Sequence, residues 1–171
     1  MRAADGFTLI EMIVSMVLLG IVFTVAALFF STMVRGYAES SLAASTAQAA
    51  EIATDRMVEE LKDASGTITA QNAGGGSTTT GATTVTYTSS DPLLTGNRGI
   101  VYSGGDLYIR VDGTDHLLLE DLASFGVDLV EADIDGNAAD NEISRFDISM
   151  TMQGYGGTFN ARITPRNFIS R

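Results

Sequence analysis

Cysteine is missing from the 171 residues, so neither a disulfide framework nor a thiolate metal site is open to this chain. Lysine occurs once, at Lys62, and the formal net charge is -11. A nucleic-acid groove needs a surface rich in Lys and Arg, and this composition opposes one. Histidine also occurs once, at His116, inside HLLL, which reads as the start of a strand. A Ser-His-Asp triad needs its histidine held between the other two members, and neither a phosphate-binding glycine loop nor a GxSxG elbow is written here. The chain therefore reads as a non-enzymatic protein. Its length suits one modest globular domain with an appendage rather than two domains.

Charge is missing locally as well. Residues 12–34 form 23 positions without a single charged side chain, and about 20 helical residues cross a hydrocarbon core. An ordinary secretory signal has a shorter apolar run and a small-x-small cleavage site, neither of which is present. One carboxylate, Glu11, stands at the edge of this run among Ile10, Met12 and Ile13, where an ionised group is costly in a bilayer. Arg2 ahead of the span fits an N-terminus left in the cytoplasm, a bias that Asp5 and Arg35 weaken.

After the apolar run the pattern changes without a strong breaker. Ala47, Ala50, Thr54, Met57, Leu61 and Ala64 recur at steps of three and four, predicting an amphipathic helix continuous with the apolar one and ended near Ser65-Gly66. Gln71 to Ala82, rich in Gly, Ser and Thr, reads as a flexible loop. Beyond it the period becomes two, and residues 83–88, 99–103, 107–111, 116–119, 125–130, 145–152 and 158–164 read as short strands. Gly104-Gly105-Asp106 and Asp112-Gly113 lie where hairpin turns are needed. Tyr102, Tyr108 and Phe146 read as sheet-face packing. The expected fold is α+β, one long helix packed on a mainly antiparallel sheet.

The stretch GFTLIE, with its short basic leader, resembles the type IV pilin signal: Gly6 ends the leader, Phe7 would open the mature chain, and Glu11 is its fifth residue. The resemblance implies a prepilin peptidase that cuts after Gly6 and N-methylates Phe7. It also implies that Glu11 pairs with the new amine of a neighbouring subunit in a filament core. The division it implies is a leader at 1–6, a transmembrane and filament-core helix at 7–34, an amphipathic helix at 35–65 and a β-rich head at 66–171. Gly20 matches the family's helix-loosening glycine, whereas Leu28 stands where the companion proline would be. The two-cysteine loop of many major pilins is absent.

Residues 117–152, followed by TPRN, resemble the later part of J-type minor pseudopilins of type II secretion and of W-type minor pilins. Implied partners are sister pilins or pseudopilins, an inner-membrane platform and a cytoplasmic assembly ATPase. The implied location is the inner membrane, N-in and C-out, followed by a pilus or pseudopilus. A major pilin is one alternative. A single-span anchored module that binds Ca²⁺ or another ligand outside the cytoplasm and never enters a filament is the other. For that cation, Asp133, Asp135, Asn137, Asp140 and Glu142 supply side-chain oxygens in a glycine-containing turn, the donor type that Ca²⁺ takes six to eight of. The spacing departs from an EF-hand, because Gly136 comes early and the twelfth-position Glu is missing. A solvated acidic turn is the plainer reading of the same residues.

Overall fold

The computed structural model of the chain describes residues 8–134, 136, 142–154 and 156–167. One helix, α1, runs without a break from Leu9–Lys62 over 54 residues. Contacts divide the chain inside this helix into two units, Met1–Ala44 and Ser45–Arg171. In the first, every large apolar side chain from Leu9 to Val34 is at least half exposed. By length and composition this stretch can cross a membrane. Three hydroxyls within it are satisfied locally: Ser15, Thr24 and Thr32 each donate to the carbonyl four residues back, at 2.7, 2.8 and 3.0 Å. Such back-bonds let Ser and Thr sit in an apolar helix without an orphan donor.

In the second unit, α1 buries Ala50, Ala53, Met57 and Leu61 completely. Eight strands follow: β1 (Ala64–Gln71), β2 (Thr84–Ser89), β3 (Asn97–Ser103), β4 (Asp106–Val111), β5 (Thr114–Leu119), β6 (Leu122–Ala132), β7 (Glu142–Met152) and β8 (Thr158–Ile163). Strands β1 to β5 form one antiparallel meander and β6 to β8 a second. Both anticipated hairpins form. Gly104 and Gly105 have φ of 66° and 95°, and Asp112 and Gly113 of 49° and 86°, the left-handed pair that a two-residue turn needs to match strand twist. The α+β expectation therefore holds, with the sheet divided in two.

Two local readings are corrected. Ser65-Gly66 does not lie past the helix as a simple stop; it belongs to β1, which starts two residues after Lys62. A register shift between Ser65 and Thr69 breaks the alternation that would have revealed this strand. The Gly/Ser/Thr tract is also more than a tether. Asn72 Oδ1 accepts the N–H groups of Gly74 and Gly76, both at 3.0 Å. Its far end joins the second sheet through the Ala82–Val127 bridge and through Leu129 N–H to Thr79 O at 2.7 Å. The tract stitches the two meanders into one core that runs from Ala50 to Ile163.

Candidate functional site

The helix begins with a reciprocal cap. Thr8 donates to Glu11 Oε2 through its N–H at 3.1 Å and its hydroxyl at 2.9 Å, and Glu11 N–H returns a long bond of 3.4 Å to Thr8 Oγ1. With Leu9 as the first helical residue, Thr8 is the cap and Glu11 the third position, the arrangement of a capping box. The carboxylate also lies where the helix dipole favours a negative charge. Sequence reasoning treated Glu11 as unpaired outside a filament; the T-x-x-E spacing of TLIE was the overlooked signal. Gly6 and Phe7 lie outside the described residues. Gly20 lies within unbroken helix, and a Cβ built on it meets nothing within 4 Å. Among the described residues no neighbour therefore requires glycine there.

A carboxylate on the third residue, a hydroxyl cap and a long apolar helix follow the point where a leader would end. Residues 1–27 match the family model of the prokaryotic N-terminal methylation motif. The chain carries a prepilin-type signal. With its long helix on antiparallel sheets, its organisation is pilin-like. No curated protein and no solved structure matches it.

The head of this pilin-like chain holds a buried polar cluster that the sequence reading missed. Glu60 is fully buried on α1, Tyr87 on β2 and Arg98 on β3 are 1% and 6% exposed. Arg98 grips the carboxylate with two bonds, Nε to Oε2 at 2.6 Å and its terminal nitrogen to Oε1 at 2.5 Å. Tyr87 donates to Oε2 at 3.0 Å, and Arg56, one turn earlier on the helix, reaches Oε1 at 2.6 Å. Burial and the adjacent Glu60 carboxylate push the Tyr87 phenol far above its ordinary range, while the hydrogen bond to Glu60 raises Arg98. Among the described residues no buried side-chain donor or acceptor lacks a partner. The overlooked signal was a carboxylate placed three residues after Met57 on the apolar face.

The terminal TPRN finishes the helix. Arg166 N–H donates to Lys62 O at 2.8 Å, its guanidinium lies 3.2 Å from Asp63, and the Asn167 amide reaches Ser90 Oγ at 2.8 Å. The first of these bonds pairs Lys62 O, one of the carbonyls that a helix end would otherwise leave open.

Of the anticipated cation ligands, Asp135, Asn137 and Asp140 lie outside the described residues. Asp133 Oδ1 accepts Gly136 N–H at 2.7 Å, and the buried Glu142 accepts Ile134 N–H at 2.9 Å. Both described carboxylates thus shape the turn's backbone. Among the described residues no group of three or more His, Asp or Glu side chains is placed to hold a metal. His116 is exposed on β5, in register with Ile109. On the outer face of β6 to β8, Asp128, Asp147, Ser149, Asn160 and Arg162 line a shallow groove. Its charges serve each other: Asp147 lies 3.0 and 3.1 Å from Arg145 and Arg162, and Asp128 accepts Gly81 N–H at 2.6 Å.

Proposed function

We propose that this chain is a structural subunit, cut after Gly6, N-methylated on Phe7 and built through its apolar helix into a type IV pilus or a type II secretion pseudopilus. The observation that carries this reading is the match of residues 1–27 to the methylation motif, which takes in the start of a helix apolar enough to cross a membrane. The minor-subunit role, with a place in a tip or priming complex, is supported by the resemblance of residues 117–152 and TPRN alone. Its partners on this reading are the prepilin peptidase, sister subunits, the inner-membrane platform and the assembly ATPase. The acidic head lies outside the cytoplasm, and any cation its 133–142 turn takes is Ca²⁺.

The mechanism follows from charge burial. Cleavage leaves Thr8 as the second residue of the mature chain, so the cap on Glu11 survives processing. The new α-amino group of Phe7 is charged near neutral pH. In a filament core it pairs with the Glu11 carboxylate of a neighbour, and only one axial register brings the two together. An unpaired buried charge typically costs about 3–5 kcal/mol, so wrong registers are rejected. Among the described residues nothing would meet a Cβ at Gly20, which suits a place where helices approach or loosen in the assembly.

The test is the intact mass and N-terminal sequence of the protein from its native membrane, beside Glu11→Ala. The expected result is a chain starting at methylated Phe7, with the variant processed but poorly incorporated. A chain that still starts at Met1 in cells possessing the peptidase overturns the filament reading in favour of an anchored receptor.

A further inference from the structure

The apolar pattern of the head portion of α1 does not by itself choose which side faces the sheet. Ala50 and Ala53 are fully buried, whereas the larger Ile52 is 60% exposed and Val58 only partly covered. Turning the helix by about 100°, one residue's rotation, would bring Val58 and Ala47 toward the sheet and keep Leu61 near it. The alanines offer little surface to gain or lose, so area burial separates such arrangements mainly through Met57, fully buried here and carried to the edge of the face by that turn while Val58 takes its place. The Glu60 cluster separates them sharply. Glu60 comes from α1, Arg98 from β3 and Tyr87 from β2, so only one rotation gives the buried guanidinium its two bonds and the carboxylate its donors. Any other rotation leaves Arg98 buried without a partner, the costliest fault a core can hold.

We infer that the Glu60–Arg98–Tyr87 cluster is a positioning device that fixes the azimuth of the head on residues 45–62 of α1, and that incorporation into a filament depends on it. The dependence on incorporation rests on the subunit reading, since each added subunit must present the same head face to its neighbours. The fixing of azimuth does not. Buried ion pairs can be exchanged for apolar residues without loss of stability, so this device is expected to contribute specificity rather than net stability.

The experiment uses the full chain with Glu60→Leu, Arg98→Leu and Tyr87→Phe combined, in detergent micelles, with ¹³C-methyl-labelled methionine. Met57 lies one turn before Glu60 on the buried face, while Met150 and Met152 lie in β7. The expected result is a circular dichroism spectrum and thermal midpoint like those of the parent, a Met57 methyl signal split into two or more, and single signals for Met150 and Met152. Incorporation into filaments is expected to fall at least tenfold while cleavage is unchanged. An unfolded variant would make the cluster a stability element and overturn the inference. So would a single Met57 signal, or multiplication of all three, which reports general loosening. Parental incorporation alongside a split Met57 signal would overturn the link to assembly. Failure of the parent itself to be cleaved or incorporated would instead count against the subunit reading.

Discussion

At the residue scale, burial decides which charges matter. Arg98→Met removes the two-bond partner of the buried Glu60 carboxylate and leaves it only Arg56 and Tyr87, and a loss approaching about 3 kcal/mol is expected in denaturant melts of the full chain in detergent. Arg110 and Asp115 also pair, at 2.6 Å, but both side chains are about a third exposed. Arg110→Met is therefore expected to cost less than about 1 kcal/mol. Equal losses for the two variants would refute the assignment of the first pair as the consequential one. Tyr87 gives a second check with a defined sign. Its phenol titrates higher in the folded chain than the value of about 10 of an unfolded one, so its contribution is complete below that pH and lost as pH rises above it. Spectrophotometric titration at pH 11, with the fold intact, should give the same tyrosinate absorbance for the parent and for Tyr87→Phe. A smaller signal from the variant would show that Tyr87 ionises freely.

At the element scale, turns and strand faces carry the predictions. Gly96 has φ of 95°, and a Cβ there would lie 2.5 Å from the Asp112 carboxylate, whose Oδ1 also accepts Asn97 N–H at 2.9 Å. Gly96→Ala combines a left-handed backbone with displacement of that acceptor, and more than about 1 kcal/mol of destabilisation is expected in the same melts. On the outer face of β6 to β8, burial draws Asp147 upward, and hydrogen bonds from Arg162 and Arg145 outweigh it, leaving the carboxyl below its ordinary range. Asp115 is held low chiefly by its hydrogen bond from Arg110. Both contribute stability that is present above about pH 3.9 and lost as pH falls through their lower folded values. The thermal midpoint should therefore drop on acidification below about pH 4, and Asp147→Asn should flatten that limb. An unchanged slope would show that Asp147 is not part of it. The cap on α1 is local too: Thr8→Ala should raise hydrogen exchange at the first helical turn and leave the head amides as they were.

At the scale of the whole molecule, the division of labour follows from what each segment can bury. The apolar helix was legible because 23 uncharged residues have few alternatives, and the later strands because alternation and the Gly-Gly and Asp-Gly turns agree. Strand β1 was not, since Ser65, Gly66 and Thr67 read as an end rather than a beginning and the register shift hides the period of Ile68 and Ala70. The tract from Gln71 to Ala82 looked structureless because its partners, Val127 and Asp128, lie more than forty residues away. The candidate site was similarly divided. Glu11 was singled out for its isolation in an apolar run, yet its partner Thr8 stands three residues away. Glu60 was passed over because its EE pair reads as solvated; its place three residues after Met57 was the one local hint of burial, and its partners Tyr87 and Arg98 lie 27 and 38 positions away.

The sequence by itself therefore determined the α+β class, the apolar helix, the prepilin-type signal and most of the strands, because each depends on residues near one another along the chain. Tertiary structure alone decided that the sheet is two meanders stitched by a glycine-rich tract, that TPRN caps the helix end, and that a buried carboxylate, guanidinium and phenol meet in the core. Those features require groups 27 to 104 positions apart to find each other, as with Glu60 and Tyr87 or Lys62 and Arg166. Local propensity carries no term for such a meeting; the cost of leaving a buried polar group unpaired supplies it.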